Sequence, residues 1–293
     1  MNVVITGSLG HIGKPLATEL VGKGHSVTVI SSKPEKQAAI EALGASAAIG
    51  SLEDIDFLAS TFTGADAVYC MVPPNLAESQ LAYYRRIGGN YAQAIRQSGI
   101  KRVVHLSSYG AHLDKGTGII LGSYYVEDML NELSGVAITH LRPGYFYYNL
   151  YNFVNMIKGA GFIGTNYGGD DRIVLVHPTD IARVAAEELV TPSAGVNVRY
   201  VASDEHSCTE IATILGTAIG KPDLNWVTFT NEQTRESLET NGMPTYLISD
   251  FIDLGASTHS GALREDYDLH KPVVMGKIKL EDFAREFAAA FNG

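Results

Sequence analysis

The stretch that most constrains this chain lies close to its amino terminus, Thr6-Gly7-Ser8-Leu9-Gly10-His11-Ile12-Gly13. Asn2-Val3-Val4-Ile5 precedes it, a short apolar and largely β-branched run with the pattern of a buried strand. Ile12, Leu16 and Leu20 follow at four-residue spacing, which places them on one face of a helix. Strand, glycine turn and helix in that order form the context in which glycines at this spacing bind a dinucleotide. Gly7 supplies a backbone angle closed to other residues, Gly10 lets the main chain approach a pyrophosphate, and Gly13 lets helix and strand pack closely. The first N–H groups of the helix then face the phosphates, with the positive end of the helix dipole behind them. An ordinary tight turn would also use glycine, but the flanking strand and helix select the dinucleotide reading. The expected contacts here are Thr6, Gly7, Leu9, Gly10, His11, Ile12 and Gly13.

The second strand, Ser26-Val27-Thr28-Val29-Ile30, runs into Ser31-Ser32-Lys33-Pro34-Glu35. An acid at the end of this strand bonds the ribose 2′-hydroxyl in NAD-preferring sites. Hydroxyls and a lysine stand there instead, a set suited to a 2′-phosphate, so Ser31, Ser32 and Lys33 point to NADP(H). Ser32, Pro34 and Glu35 also spell a capped helix start, and the two readings are compatible. Further apolar runs at Ala45–Ile49, Ala67–Val72, Arg102–Leu106 and Ala137–Leu141 alternate with helical stretches, including Gln80–Ser98 and Tyr125–Leu133. That alternation calls for an α/β fold, a doubly wound parallel sheet with helices on both faces. Ligands bind such sheets at the C-terminal ends of the strands. Ser51, Leu52, Met71, Pro73, Ser107, Ser108, Pro143 and Tyr145 therefore join the expected cofactor contacts.

After Gly144 the character changes. Tyr145, Phe146, Tyr147, Tyr148, Tyr151 and Phe153 crowd together, with Asn149 and Asn152 between them. Leaving a strand's C-terminal end, this stretch is expected to overhang the cofactor crevice; an aromatic patch filling a domain junction is the alternative. The glycines from Gly159 to Gly169 suggest a mobile, lid-like loop. Thr179 or Asp180 is expected to cap a helix over Ile181–Val190. The expected division is a dinucleotide-binding domain over 1–150, with segments returning within about 172–204, and a smaller C-terminal α/β substrate domain over 151–293.

The 293 residues suffice for a large core, and the formal charge of −10 argues against a nucleic-acid partner. Cys70 and Cys208 sit in no metal-like spacing, so neither a disulfide framework nor a metal site is expected. No signal peptide and no run near the roughly 20 apolar residues of a membrane helix is seen, so the expected setting is cytoplasmic. The oligomeric state stays open between monomer and homodimer.

With these residues in view, the chain resembles the atypical short-chain dehydrogenase/reductases of the NmrA-like family, especially the group of triphenylmethane reductases and NADPH:quinone oxidoreductases. The matching pieces are the glycine turn, Ser32-Lys33-Pro34-Glu35-Lys36, Ala65-Asp66-Ala67-Val68 running into Pro73-Pro74, and the stretch from Gly99 to Ser108. Leu141-Arg142-Pro143-Gly144-Tyr145-Phe146-Tyr147-Tyr148-Asn149-Leu150, His177–Ala182 and Leu280–Phe283 match further on. The resemblance implies a Rossmann fold with a small, partly discontinuous substrate domain. It also implies a departure. The broader superfamily pairs a tyrosine with a lysine four residues later as a proton relay, whereas Tyr124 and Tyr125 are followed by Asp128 and Met129. Where an acid often follows the third strand, Ser51 stands here.

Two functions follow as expectations. The first is an NADPH-dependent reductase of a small aromatic or conjugated acceptor such as a quinone, dye or enone, with Tyr145, Asn149 and Ser107 as catalytic candidates. The second is a non-catalytic NADP(H)-binding redox sensor. An isomerase on the same fold is weakened by the lack of a lysine four residues after Tyr124 or Tyr125.

Overall fold

The computed structural model describes residues 1–293. In chain order the elements begin β1 (Asn2–Ile5), α1 (Gly13–Gly22), β2 (Ser26–Ser31), α2 (Gln37–Glu41), β3 (Ser46–Ile49), α3 (Ile55–Phe62), β4 (Ala67–Cys70), α4 (Gln80–Ser98), β5 (Arg102–Leu106), α5 (Leu121–Asn131) and β6 (Ala137–Pro143). They continue with β7 (Tyr145–Phe146), α6 (Val154–Ala160), β8 (Ile163–Thr165), β9 (Arg172–Val176), α7 (Pro178–Val190), β10 (Val196–Val201) and β11 (Asp204–Ser207). The last are α8 (Cys208–Ala218), β12 (Trp226–Thr228), α9 (Asn231–Thr240), α10 (Thr245–His259), α11 (Glu265–Leu269) and α12 (Leu280–Asn292). The chain divides into two compact units. One comprises Met1–Ala111, Gly122–Arg142 and Ile181–Arg199; the other comprises His112–Leu121, Pro143–Asp180 and Tyr200–Gly293.

A seven-stranded sheet in the order β10-β6-β5-β4-β1-β2-β3 organises the first unit. The pairings from β3 across to β6 are all parallel, with Val4 opposite Thr28 and Val68, and Val103 opposite Val68 and Ile138. Strands buried on both faces must be apolar throughout, which is why Val3, Val4, Ile5 and Ala67–Cys70 are all sealed from water. Helix α4 begins where the Ser79 hydroxyl accepts the Ala82 N–H and ends at Gly99 in the left-handed conformation, φ 72°. Its Tyr83, Ile87, Tyr91 and Ile95 recur at four-residue spacing and pack with Val68, Val103 and Ile138.

Two buried histidines interrupt this apolar sheet. His105 and His140 are cross-strand partners on β5 and β6, and their Nδ1 atoms lie 3.0 Å apart. Asn131 Oδ1 accepts from His140 Nε2 at 2.9 Å, so the His140 proton is on Nε2 and its Nδ1 accepts from His105 Nδ1–H. Burial holds both rings neutral: His105 falls well below the ordinary histidine value, and His140 is pushed down to about 4.

The second unit has a three-stranded sheet, β11-β9-β7, and a parallel pair, β12-β8. Its core joins Tyr147, Leu150, Ile157, Leu175, Leu215 and Trp226 to Phe283 and Phe287 of α12. The Tyr147 ring stacks on Phe283 with centroids 5.3 Å apart, and Tyr151 stacks on Phe287 at 5.8 Å.

Four expectations change here. The stretch after Gly144 is not a free aromatic wall: Tyr147 and Leu150 are fully buried, because the 3₁₀ helix Tyr147–Phe153 turns that side into the core against α12. The glycine-rich segment is no lid, since Ile163–Thr165 forms β8 and pairs with Trp226–Thr228. Asp180 does not cap α7. Its buried carboxylate accepts the Ser203 hydroxyl at 2.7 Å and the N–H groups of Lys277 and Ile278 at 3.1 and 3.2 Å. The capping acceptor is His177 Nδ1, which takes the Thr179 N–H at 3.2 Å. Ser32 likewise makes no cap, and the chain after Lys33 enters a short 3₁₀ turn, Pro34–Lys36.

The histidine pair sets a pH dependence. Both rings bind protons less readily folded than unfolded, so their contribution is complete above the ordinary value of 6.5. It is lost as pH falls from there toward about 4 for His140, at up to about 1.4 kcal/mol per pH unit for each ring. His206, raised chiefly by its hydrogen bond to Asp204, acts in the opposite sense. Urea unfolding of wild type against a His105→Leu/His140→Leu variant isolates the pair. The stability difference should shift against wild type on acidification from pH 7 to about 4.5; a constant difference refutes the assignment.

Candidate cofactor site

The glycine turn is held by three different demands. Gly7 has φ +90°, and a Cβ there would lie 2.5 Å from the Met71 Sδ. At position 13 a Cβ would collide with the Ser8 carbonyl oxygen, so glycine is required for α1 to start against the turn. Gly10 is different: it is exposed, and the nearest atom a Cβ would meet is the Gly7 carbonyl oxygen at an ordinary 3.5 Å. The protein's own packing therefore leaves room at Gly10. Helix α1 has no side-chain cap and no acid in its first turn. Of its first three residues Lys14 gives its N–H to the Gly10 carbonyl at 3.1 Å and Pro15 has none, which leaves the Gly13 N–H and the positive helix end to face a ligand. An uncapped positive helix end beside an open glycine fits a pyrophosphate. Leu9 is half-buried, His11 exposed, and Ile12 buried beneath the turn.

Thr6 is drawn inward. Its hydroxyl accepts the Met71 N–H at 2.9 Å and the Tyr91 hydroxyl at 3.0 Å, tying β1 to β4 and α4. Ser31 is buried as well; its Oγ accepts from the Ser8 hydroxyl at 2.9 Å and from the Lys33 N–H at 3.2 Å. Ser32 and Lys33 are exposed, and neither side chain has a partner in the protein. The Ser51 hydroxyl accepts the Glu53 N–H at 3.1 Å, and the Leu52 carbonyl accepts from Asn90 at 2.9 Å. Pro73 is half-buried.

At the ends of β5 and β6, Ser107 meets two residues that were not expected. Its hydroxyl donates to Glu127 Oε1, and both oxygens of that carboxylate are held by Arg142, Nε to Oε1 at 3.0 Å and Nη2 to Oε2 at 2.6 Å. The two charged side chains are 7% and 9% exposed. Ser107 has already committed its proton, so it is poorly placed to give one to a substrate. The signal for Glu127 was present: it shares a buried helix face with Ser123 and Leu130. Ser108 donates to the Tyr109 carbonyl at 3.1 Å.

The other expected residues belong to the second unit, in which Pro143 is buried at the end of β6. The Tyr145 phenol is hydrogen-bonded to Tyr167, and burial pushes its pKa far up, which makes it a weak acid. Asn149, half-buried on the 3₁₀ helix, has no hydrogen-bond partner for its carboxamide. Tyr124 and Tyr125 pack edge to face with centroids 5.3 Å apart, and the Arg85 guanidinium lies 4.7 Å over the Tyr125 ring.

A family profile described as NAD(P)H-binding matches residues 7–192. Among relatives, an NAD(P)H azoreductase of Xenophilus azovorans is 25% identical over 296 aligned positions, covering 99% of both chains. An NADPH-dependent quinone oxidoreductase of Escherichia coli, solved with NADPH, superposes with a TM-score of 0.82 at 21% identity over 97% of this chain and 99% of that one. The triphenylmethane reductase of Citrobacter sp. gives 0.81 at 18% identity over 99% and 100%. At such identities the two structures show a shared Rossmann-type fold.

Two substitutions separate the roles of the turn. Gly10→Val should leave the melting temperature near wild type and abolish dinucleotide binding in calorimetry, whereas Gly13→Val should unfold or strongly destabilise the chain. Loss of folding in Gly10→Val would contradict the reading of an open glycine. Glu127→Ala removes the buried carboxylate paired with Arg142 and should cost about 3–5 kcal/mol in urea unfolding; a loss under about 1 kcal/mol would show that the pair is not truly desolvated.

Proposed function

The chain belongs to the NAD(P)H-binding family, as an atypical short-chain dehydrogenase/reductase of the NmrA-like group, and from that premise we propose that it is an NADPH-dependent reductase of small conjugated acceptors. The acceptors are quinones, triphenylmethane or azo dyes, and enones. The observation that carries the cofactor choice is the end of β2, where exposed Ser32 and Lys33 lack partners and no acid stands to bond a 2′-hydroxyl. On this reading the α1 N-terminus and Gly10 hold the pyrophosphate, and Ser32 and Lys33 take the 2′-phosphate. At about 4 Å and an effective dielectric near 20 the Lys33 attraction is about 4 kcal/mol, reduced to about 1 kcal/mol by exposure.

Bound NADPH supplies the hydride, and the protein's part is to bind, orient and exclude water. Asn149, with an uncommitted carboxamide, is the proposed hydrogen-bond donor to the acceptor's heteroatom. Ser107 and Tyr145 are assigned no proton transfer, because the Ser107 hydroxyl donates its hydrogen bond to Glu127 and the Tyr145 phenol is paired with Tyr167. The hydride carries two electrons and one proton; a quinone, azo or enone acceptor takes its second proton from solvent after the transfer, and a cationic dye needs none. Quinones and cationic dyes accept hydride without a strong acid, which suits a site in which neither Tyr124 nor Tyr125 is followed by a lysine four residues later. The same lack favours a second reading, an NADP(H)-binding sensor that does not turn over.

Loss of reduced-nicotinamide absorbance with a panel of quinones, triphenylmethane dyes, azo dyes and enones decides between them. Sustained turnover with at least one acceptor, reduced about tenfold or more by Asn149→Ala, is expected. Lys33→Ala should weaken NADPH by about fivefold, the size of about 1 kcal/mol, and leave NADH unchanged. Tight NADPH binding with no turnover across the panel would establish the sensor.

A further inference from the structure

Ser8 is the one non-glycine residue of the chain with a positive φ, +58°. A glycine would hold that backbone without strain, so what serine adds at this position is its hydroxyl. That hydroxyl donates to Ser31 Oγ at 2.9 Å, while the Ser8 N–H donates to the Ile30 carbonyl at 3.0 Å. Ser31, 2% exposed, accepts the Lys33 N–H on the same Oγ at 3.2 Å, and its carbonyl accepts the Gly50 N–H at 3.0 Å. Three hydrogen-bonded residues thus link the middle of the glycine turn to the residue that carries the exposed ammonium. Lys33 itself is extended, φ −111° and ψ 106°, immediately before the 3₁₀ turn.

We propose that Ser8 is a positioning residue for cofactor discrimination, fixing through Ser31 the backbone of Ser32 and Lys33 where a 2′-phosphate arrives. The inference rests on the reading that the chain uses NADPH. It moves Ser31 from a direct phosphate contact to the middle of a relay, since its hydroxyl is buried and donates to the Lys33 carbonyl at 3.5 Å. Without the Ser8 hydroxyl, Ser31 is free to rotate and the Lys33 segment loses its anchor. The pyrophosphate cradle does not use this hydroxyl, so it survives. Ser8 then affects one nucleotide and spares the other.

Calorimetric titration of wild type, Ser8→Gly, Ser31→Ala and the double variant with NADPH and with NADH tests this. Ser8→Gly keeps the turn's backbone, so NADH affinity should stay within about twofold. Its NADPH affinity should fall by about tenfold, the size of one lost hydrogen bond. Ser31→Ala should match it, and the double variant should be no weaker than either single one. Equal weakening of both nucleotides would assign Ser8 to the turn alone and overturn the proposal, as would additive losses in the double variant. A wild-type preference for NADPH that Ser8→Gly keeps in full overturns this inference and leaves the proposed function standing. Equal wild-type affinities would remove the NADPH premise, and the inference with it.

Discussion

The Ser8 carbonyl oxygen occupies the space that a Cβ on residue 13 would need. That one close approach sets how α1 leaves β1, and much else depends on it. It brings the uncapped start of α1 to the end of the strand, so the Gly13 N–H and the positive end of the helix lie where no side chain competes for them. It places Ser8 within reach of Ile30 and Ser31, coupling the turn to the end of β2. The same turn is closed from the other side by Met71 over Gly7 and by Thr6, which gathers the Met71 N–H and the Tyr91 hydroxyl. Only Gly10 is left open, and an opening maintained by rigid neighbours is what a preformed ligand site requires.

The polar interior of the first unit is concentrated on β5 and β6. Ser107, Glu127 and Arg142 form one closed set, and His105, His140 and Asn131 form another. In each, buried donors meet buried acceptors, which is how buried polar groups avoid the cost of lost hydration. The second unit shows the same economy at Asp180, whose two oxygens serve one hydroxyl and two backbone N–H groups. The Ser107 hydroxyl donates to Glu127 within such a set, and on the proposed function it is therefore assigned no proton transfer. The chemistry left to the protein is mainly electrostatic and steric.

How much of this was legible from the residues depended on whether a segment's partners were near in sequence. The glycine turn, the alternation of strands and helices and the bounds of α4 were readable, because local spacing, a serine cap and a terminal glycine determine them. Strand β11 went unread: Asp204-Glu205-His206-Ser207 has no apolar alternation and is a strand only because β9 pairs with it. Helix α10 also went unread, as Pro244 precedes it without a side-chain cap. The aromatic cluster after Gly144 looked like a ligand wall because α12, which buries Tyr147 and Tyr151, lies more than a hundred residues later in the chain. Ser31 and Thr6 were recognised as special, yet which way a small hydroxyl points is decided by neighbours that spacing does not reveal. Glu127 was passed over although its spacing with Ser123 and Leu130 put it on a buried face, because an acid on an amphipathic helix reads as surface until Arg142 is found beside it.

The central claim is that the glycine turn and the end of β2 together form a site for a 2′-phosphorylated dinucleotide. A crystal structure of the chain grown with NADPH tests it most directly. The account predicts the pyrophosphate against Gly10 and the α1 N-terminus, with the 2′-phosphate within hydrogen-bonding distance of the Ser32 hydroxyl and the Lys33 ammonium. A pyrophosphate in that place with its 2′-phosphate turned to solvent, away from both residues, would contradict it.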